Sequence, residues 1–381
     1  MKEKKQIEWV NIAKGLAMLM VVVGHVSYAL PNGKLFPLQT LIVGWHVPIF
    51  FLIAGFFIKE EKLEKPMAFV KSKFHSLYKP LLCYYIPAVI LHNFLLEIGF
   101  YDTITEYGGK FMHQYSAVEM VKQVILSIFF AGREPILGAM WFVYVLFLAM
   151  CGFSIVSCGL RKIINDEKLY EWTRMVVLLI LAILACDLTN MFGINIPRCN
   201  NTFIALWLIY CGFKLRNQVG VKFNCGWLAL VSLLLIWHIA PMGGGNALNG
   251  NKLHDIVLLT AGSVAALYVT CFVSQKLEGS RLGRCVALCG RESFHIMALQ
   301  FAAFKIGTLI LSVFGVERSL AVLGAPADGS FLLFIYYVFW GMVFPLLFMW
   351  ALRNIKRLVQ RVKQSVTKAC HELSEKLRDK R

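Results

Sequence analysis

The chain has 381 residues, 58% of them apolar and only 16% charged, with a formal net charge of +17. A soluble domain carries about a quarter of its residues as charges, and no water-soluble fold buries apolar surface spread this evenly from end to end. Composition therefore excludes a soluble enzyme and points to helices that satisfy their own backbone hydrogen bonds within lipid; the alternating pattern of a membrane barrel is absent.

In chain order, hydropathy predicts an all-α, polytopic transmembrane helical bundle of about ten spans. They lie near residues 9–30, 38–58, 78–98, 138–160, 175–193, 201–215, 225–240, 255–274, 293–314 and 331–352. The amino end has a basic start and an apolar stretch, but Lys14 interrupts that stretch and His25 lies near its end. It reads as a retained first span rather than a cleaved signal peptide. With the amino terminus inside, thirty Lys and Arg fall on inner segments and seven on outer ones, which places both termini in the cytoplasm. The apolar stretch 117–131 holds Glu119 and Lys122 and is too short to cross; it reads as an interfacial or re-entrant helix on the outer face.

Residues 1–352 make up the predicted membrane domain. Beyond it, Ile355, Leu358, Val359, Val362 and Val366 recur at helical spacing between Lys and Arg. That pattern predicts a basic amphipathic cytoplasmic tail, 353–381, on the anionic lipids of the inner leaflet. Loops and tail account for the positive charge, so no nucleic-acid partner is implied. Eleven cysteines are scattered without a C-x-x-C, which supports neither a disulfide framework nor zinc, and no metal is expected.

Ionisable side chains inside a span are costly and mark function by default. Lys14 and His25 are eleven residues apart on the first span. At about 100° per residue they return to within about 20° of one face, about 16 Å apart along the axis. His46, in Gly44-Trp45-His46-Val47-Pro48, falls at a depth like that of His25 on the span that returns. The two imidazoles are expected to share a pocket, with Pro48 freeing a carbonyl and Gly44 and Gly55 admitting close helix packing. A snorkelling lysine or a lone buried histidine is the ordinary reading of either residue alone; together, on one hairpin, they point to chemistry.

Asn11-Ile12-Ala13-Lys14-Gly15, Val23-Gly24-His25, the run Trp45 to Phe57 and the Trp141-Phe142 segment resemble the acyltransferase-3 family of membrane acyltransferases. The look is closest to its sugar O-acetyltransferases, fucose O-acetylase-like proteins among them. The resemblance implies a ten-span enzyme of a bacterial-type inner membrane. It would move an acetyl group from cytoplasmic acetyl-CoA, a co-substrate rather than a tightly bound cofactor, to a hydroxyl of a glycan or lipid-linked precursor. It also implies Lys14 and His25 as the functional pair and His46 as the histidine of the second motif. Lys14 stands where the family often has Arg, and Asn11 where it often has Asp. Ala54 replaces the usual Ser, and Gln300 occupies a position where a histidine is expected. The family's paired basic residues after the second span are not reproduced.

From residue chemistry, Lys14, Lys71, Lys73 and Lys79 are then expected to hold the CoA phosphates. His25 is expected to act as general base, and His46 to orient the reactants or stabilise the oxyanion. Arg133, Glu134, Trp141 and Lys305 are expected at the acceptor, with Arg198, His238 and Asp255 as further outward-facing candidates. A covalent acyl-histidine or acyl-serine relay, with Ser27 nearby, is not favoured by the sequence. A transporter or flippase without chemistry, or the same fold with a larger donor such as succinyl-CoA, are the competing readings.

Overall fold

A computed structural model describes residues 8–26, 42, 44–101, 106–107, 110–132, 134–190, 198–217, 219–240, 256–316 and 330–378. Its helices are α1 (Glu8–Val26), α2 (His46–Phe56), α3 (Glu60–Leu63), α4 (Pro66–Lys73), α5 (Lys79–Ile90), α6 (His92–Glu97) and α7 (Ala117–Ile128). They continue with α8 (Trp141–Ile163), α9 (Glu167–Asn190), α10 (Cys199–Asn217), α11 (Gly226–Ile239), α12 (Ile256–Leu277), α13 (Arg281–Arg291), α14 (Ser293–Val313) and α15 (Phe331–Arg378). The extended structure among the described residues is a two-rung antiparallel ladder, β1 (Glu106–Tyr107) against β2 (Lys110–Phe111).

Among the described residues, each of the ten expected windows overlaps a helix. Five helices among the described residues are long and apolar enough to cross a membrane: α1, the run Pro135–Ile163, α12, α14 and the first 38 residues of α15. Helices α2 and α11 are apolar but shorter.

Backbone contact through glycine sets the inner packing. A Cβ on Gly15 of α1 would lie 2.1 Å from the Val286 carbonyl oxygen, and one on Gly290 of α13 would lie 1.7 Å from that of Asn11. Reciprocally, Gly55 of α2 meets Ile209 and Gly212 of α10 meets Leu52, at 1.9 and 2.0 Å. Helix Cβ atoms lean toward the amino terminus. A glycine that meets the residue three or four positions before its partner glycine therefore marks a parallel pair, and both pairs show this pattern. The expectation for Gly55 is met. Nothing lies within 4 Å of a Cβ on Gly44, so that glycine is not a packing contact.

Three local features differ from the sequence reading. The expected span 78–98 begins earlier: α4 and α5 are joined through one π-helical turn, Phe74–Tyr78, rather than a loop. Such a turn inserts an extra residue and re-phases every side chain after it. Pro48 sits in the first turn of α2, where no intrahelical donor is required, so it breaks no bond of that helix. Helix α15 passes through residues 352 and 353 without interruption, and Arg353 bonds Glu292 at 2.8 Å. The exposed Ile355, Leu358, Val359, Val362 and Val366 thus continue the last span.

The short helix α7 is capped by reciprocal bonds between Ser116 and Glu119, and these bonds hold the exposed Glu119 carboxyl below the usual carboxylate range. Its length is 12 residues, about 18 Å at 1.5 Å per residue, short of a hydrocarbon core about 30 Å thick. Val118, Val121, Ile125 and Phe129 are exposed along it, as an interfacial helix requires.

Candidate active site

At the end of the bundle where α1 begins, α1, α2, α4, the π turn, α8 and α14 enclose a cavity of about 340 Å³. Its walls are apolar: Phe50, Ile53 and Phe57 from α2, Phe142 and Leu146 from α8, Phe294 and Met297 from α14. Ala54, where the resembled motif has Ser, is one of these wall residues. Into this wall project Lys14, Lys62 and Lys73, with Ser76 and Ser293. Lys73 feels the charge of both other lysines. No described carboxylate lies within ion-pairing distance of any of the three. Three ammonium groups with no countercharge among the described residues, beside an apolar chamber, suit an anion with an apolar arm.

The basic segment contributes differently from expectation. Lys73 lines the cavity, whereas Lys71 and Lys79 are exposed and are not among its walls. Two residues on from Lys71, the helix has turned by about 200°. Between Lys73 and Lys79 the π turn changes the phase again. Lys62, on α3, was visible in the sequence only as one of many inner-segment lysines.

One helix face up α1 from Lys14 lies His25, as the spacing predicts. Its Nδ1 is 3.1 Å from Oε1 of Gln300 on α14, and the edge of Phe301 packs on the ring with centroids 5.0 Å apart. The His46 ring covers the neighbouring Gly24, whose Cβ would lie 3.9 Å from His46 Cε1, and the two imidazoles are close enough to interact electrostatically. The structure therefore brings the two histidines of the first two helices near each other. His46 Nδ1 is 2.9 Å from the Ile42 carbonyl oxygen. A carbonyl only accepts, so Nδ1 carries the proton and Nε2 of the neutral ring is an acceptor. Neutral His46 is thus suited to receive a hydroxyl proton bond, not to donate to an oxyanion. Trp45 is buried with its indole stacked over Gly262, where a Cβ would lie 2.3 Å from the ring.

The residues expected at the acceptor separate. Glu134 is 2% exposed, and its Oε1 accepts from His92 Nδ1 at 2.9 Å and from the Tyr101 hydroxyl at 2.8 Å. Burial and the adjacent Glu134 carboxylate hold the Tyr101 hydroxyl far above the ordinary phenol range, so it remains a donor. His92 also stacks on Tyr115 at 3.7 Å. Oε1 of this carboxylate is committed to two protein donors. Trp141 is buried at the first position of α8, and Lys305 is 1% exposed with Nζ 5.3 Å from the Phe100 ring centroid. Arg198 adopts φ 69° before α10, and His238 is exposed on α11. Arg133, Asp255 and Ser27 lie outside the described residues.

A second buried charge cluster fixes the helices behind the cavity. Arg174 is fully buried on α9, donating to Glu60 at 2.8 Å and to Glu171, with Tyr170 and Phe213 against its guanidinium. Lys214 of α10 reaches Glu171 at 2.6 Å. The cluster ties the segment carrying α3, and with it Lys62, to α9 and α10.

A family model described as an acyltransferase domain, that of the acyltransferase-3 family, matches residues 7–357. No curated protein and no solved structure matches. The chain belongs to the acyltransferase-3 family, and it is a membrane acyltransferase.

Proposed function

We propose that this acyltransferase moves an acetyl group from cytoplasmic acetyl-CoA to a sugar hydroxyl of a cell-surface glycan or its lipid-linked precursor. In this reading the chain makes ten crossings of a bacterial-type inner membrane, with both termini in the cytoplasm. The cavity of Lys14, Lys62 and Lys73 then opens to the cytoplasm. The observation that carries the proposal is that cavity: uncompensated cations at its mouth and apolar walls within, on the same helix face as His25.

The lysines receive the CoA phosphates as point charges, the mode available to Lys in place of bidentate Arg. The pantetheine arm follows α1, whose rise of about 16 Å between Lys14 and His25 is comparable with its extended length. His25 removes the proton from the sugar hydroxyl as its oxygen attacks the thioester carbonyl. The C–S bond of the tetrahedral intermediate breaks, the CoA thiolate leaves, and His25 returns the proton to it. The products are the acetyl ester and free CoA. His46 accepts a hydrogen bond from the acceptor sugar and so orients it. Membrane lipids supply the surroundings, and the sugar approaches from the outer face.

The test is incubation of purified protein in vesicles with radiolabelled acetyl-CoA and a panel of glycans. Labelled glycan from the wild type and none from His25→Ala supports the reading. Glycan movement across the vesicle without label incorporation would replace it with a transporter, and label from succinyl-CoA alone would change the donor.

A further inference from the structure

We infer that Gln300 is a positioning residue that sets the tautomer of His25, so that the ring presents Nε2 as its basic nitrogen. The inference rests on the acyl-transfer reading for its catalytic consequence, but not for its geometry. It follows from a short chain of donors and acceptors.

Gln300 is fully buried on α14. Its amide nitrogen faces two groups one turn below that only accept: the Met297 carbonyl oxygen at 3.3 Å and the Met297 sulfur at 3.7 Å. Flipping the amide would set its oxygen against both acceptors, so the contacts with Met297 fix the nitrogen on that side. Oε1 is thereby the atom that meets His25 Nδ1 at 3.1 Å. An amide oxygen only accepts, so Nδ1 carries the hydrogen.

An amide does this without a titrating group of its own. A carboxylate would add a charge within the bundle, and a histidine could present either a donor or an acceptor. Gln300 offers one fixed acceptor, oriented by a backbone carbonyl of its own helix. Met297 is also a wall of the lysine cavity. The donor chamber and the base are thus joined through consecutive turns of α14, and the Phe301 ring edge restrains the imidazole.

The tautomer is read directly by nitrogen NMR of ¹⁵N-histidine-labelled protein in lipid nanodiscs at about pH 8, where an unperturbed imidazole is neutral. The His25 signals are assigned by their loss in His25→Asn. A protonated, pyrrole-type Nδ1 and a pyridine-type Nε2 are expected in the wild type. Gln300→Leu should give mixed or reversed tautomers, and Gln300→Glu, which keeps an acceptor oxygen, should retain the first. In acyl transfer, Gln300→Leu should lower kcat about 10- to 100-fold, a part of the general-base contribution. The KM for acyl-CoA should stay within about twofold, and Gln300→Glu should recover most of kcat.

A pyridine-type Nδ1 in the wild type overturns the assignment with no variant needed. An unchanged tautomer in Gln300→Leu overturns it as well, as does a loss of kcat that Gln300→Glu fails to recover. Should the wild type transfer no acyl group, the functional reading falls while the spectra still decide the role of Gln300.

Discussion

Two regions of the molecule hold ionisable groups in opposite ways. Around Glu134, a carboxylate inside the protein receives two donors, and its partner His92 is stacked on Tyr115. Around Lys14, three ammonium groups border an apolar cavity with no described carboxylate near enough to pair with them. Burying polar groups is tolerated when hydrogen bonds and countercharges replace water. The first region meets that requirement within the chain and is scaffold. In the second, Lys14 and Lys73 are half-buried and Lys62 exposed, with no countercharge among the described residues, which suits an anionic ligand. Arg174, enclosed by Glu60, Glu171 and aromatic rings, belongs with the first kind although it lies near the second.

The sharpest separation of the two kinds is between chemistry and folding. His25→Ala should lower kcat by about 10²- to 10⁴-fold, the range of a general base. It should leave thermal unfolding and CoA binding close to wild type. Kinetics in vesicles and a melting curve check both; a large loss of stability with kcat retained would move His25 into the scaffold. Arg174→Leu should do the reverse. Removing the cation takes one partner from Glu171, which keeps Lys214, and one from Glu60, which is substantially exposed, so the cost should not exceed about 3 kcal/mol, the lower end for breaking a buried pair. The KM for acyl-CoA should change little in whatever protein remains folded. Glu134→Ala should cost about 1–3 kcal/mol for each donor left unsatisfied on His92 and Tyr101. Equal melting curves for wild type and Glu134→Ala would return that carboxylate to the acceptor site.

How much of this was visible in the sequence depends on the distance over which each feature is defined. The pairing of Lys14 with His25 needs only helical period, and the depth of His46 needs only residue counting from a turn. The short helix at Ala117 is a matter of length and capping. By contrast, Gln300 lies 275 residues from His25, and its role depends on which amide atom faces the ring. No local pattern carries that. The basic stretch after α2 announced a charged region, but which lysines face inward depends on the π turn at Phe74–Tyr78, which has no signature in spacing. Glu134 looked available to a sugar because its partners, Tyr101 and His92, come from chain segments 33 and 42 residues away.

The smallest predicted effect tests the unpaired cations themselves. Lys62 is contributed by a four-residue helix and reached the site only through tertiary packing. Lys62→Met keeps most of the apolar stem and removes the charge. It should raise the KM for acyl-CoA about 3- to 10-fold, within the range for one charge-assisted contact that is partly solvated. The melting temperature should hold or rise slightly, since one of three mutually repelling charges is gone. Lys14→Met and Lys73→Met should act in the same direction. Raising ionic strength should narrow the gap between each variant and the wild type, because salt screens the shared attraction for phosphate. Lys71→Met and Lys79→Met, which alter exposed lysines of the same segment, serve as matched controls and should leave KM unchanged. A loss in the controls equal to that in Lys62→Met would mean that a diffuse positive surface attracts the donor. Loss confined to the three cavity lysines would mean that the donor is held where the countercharge is missing.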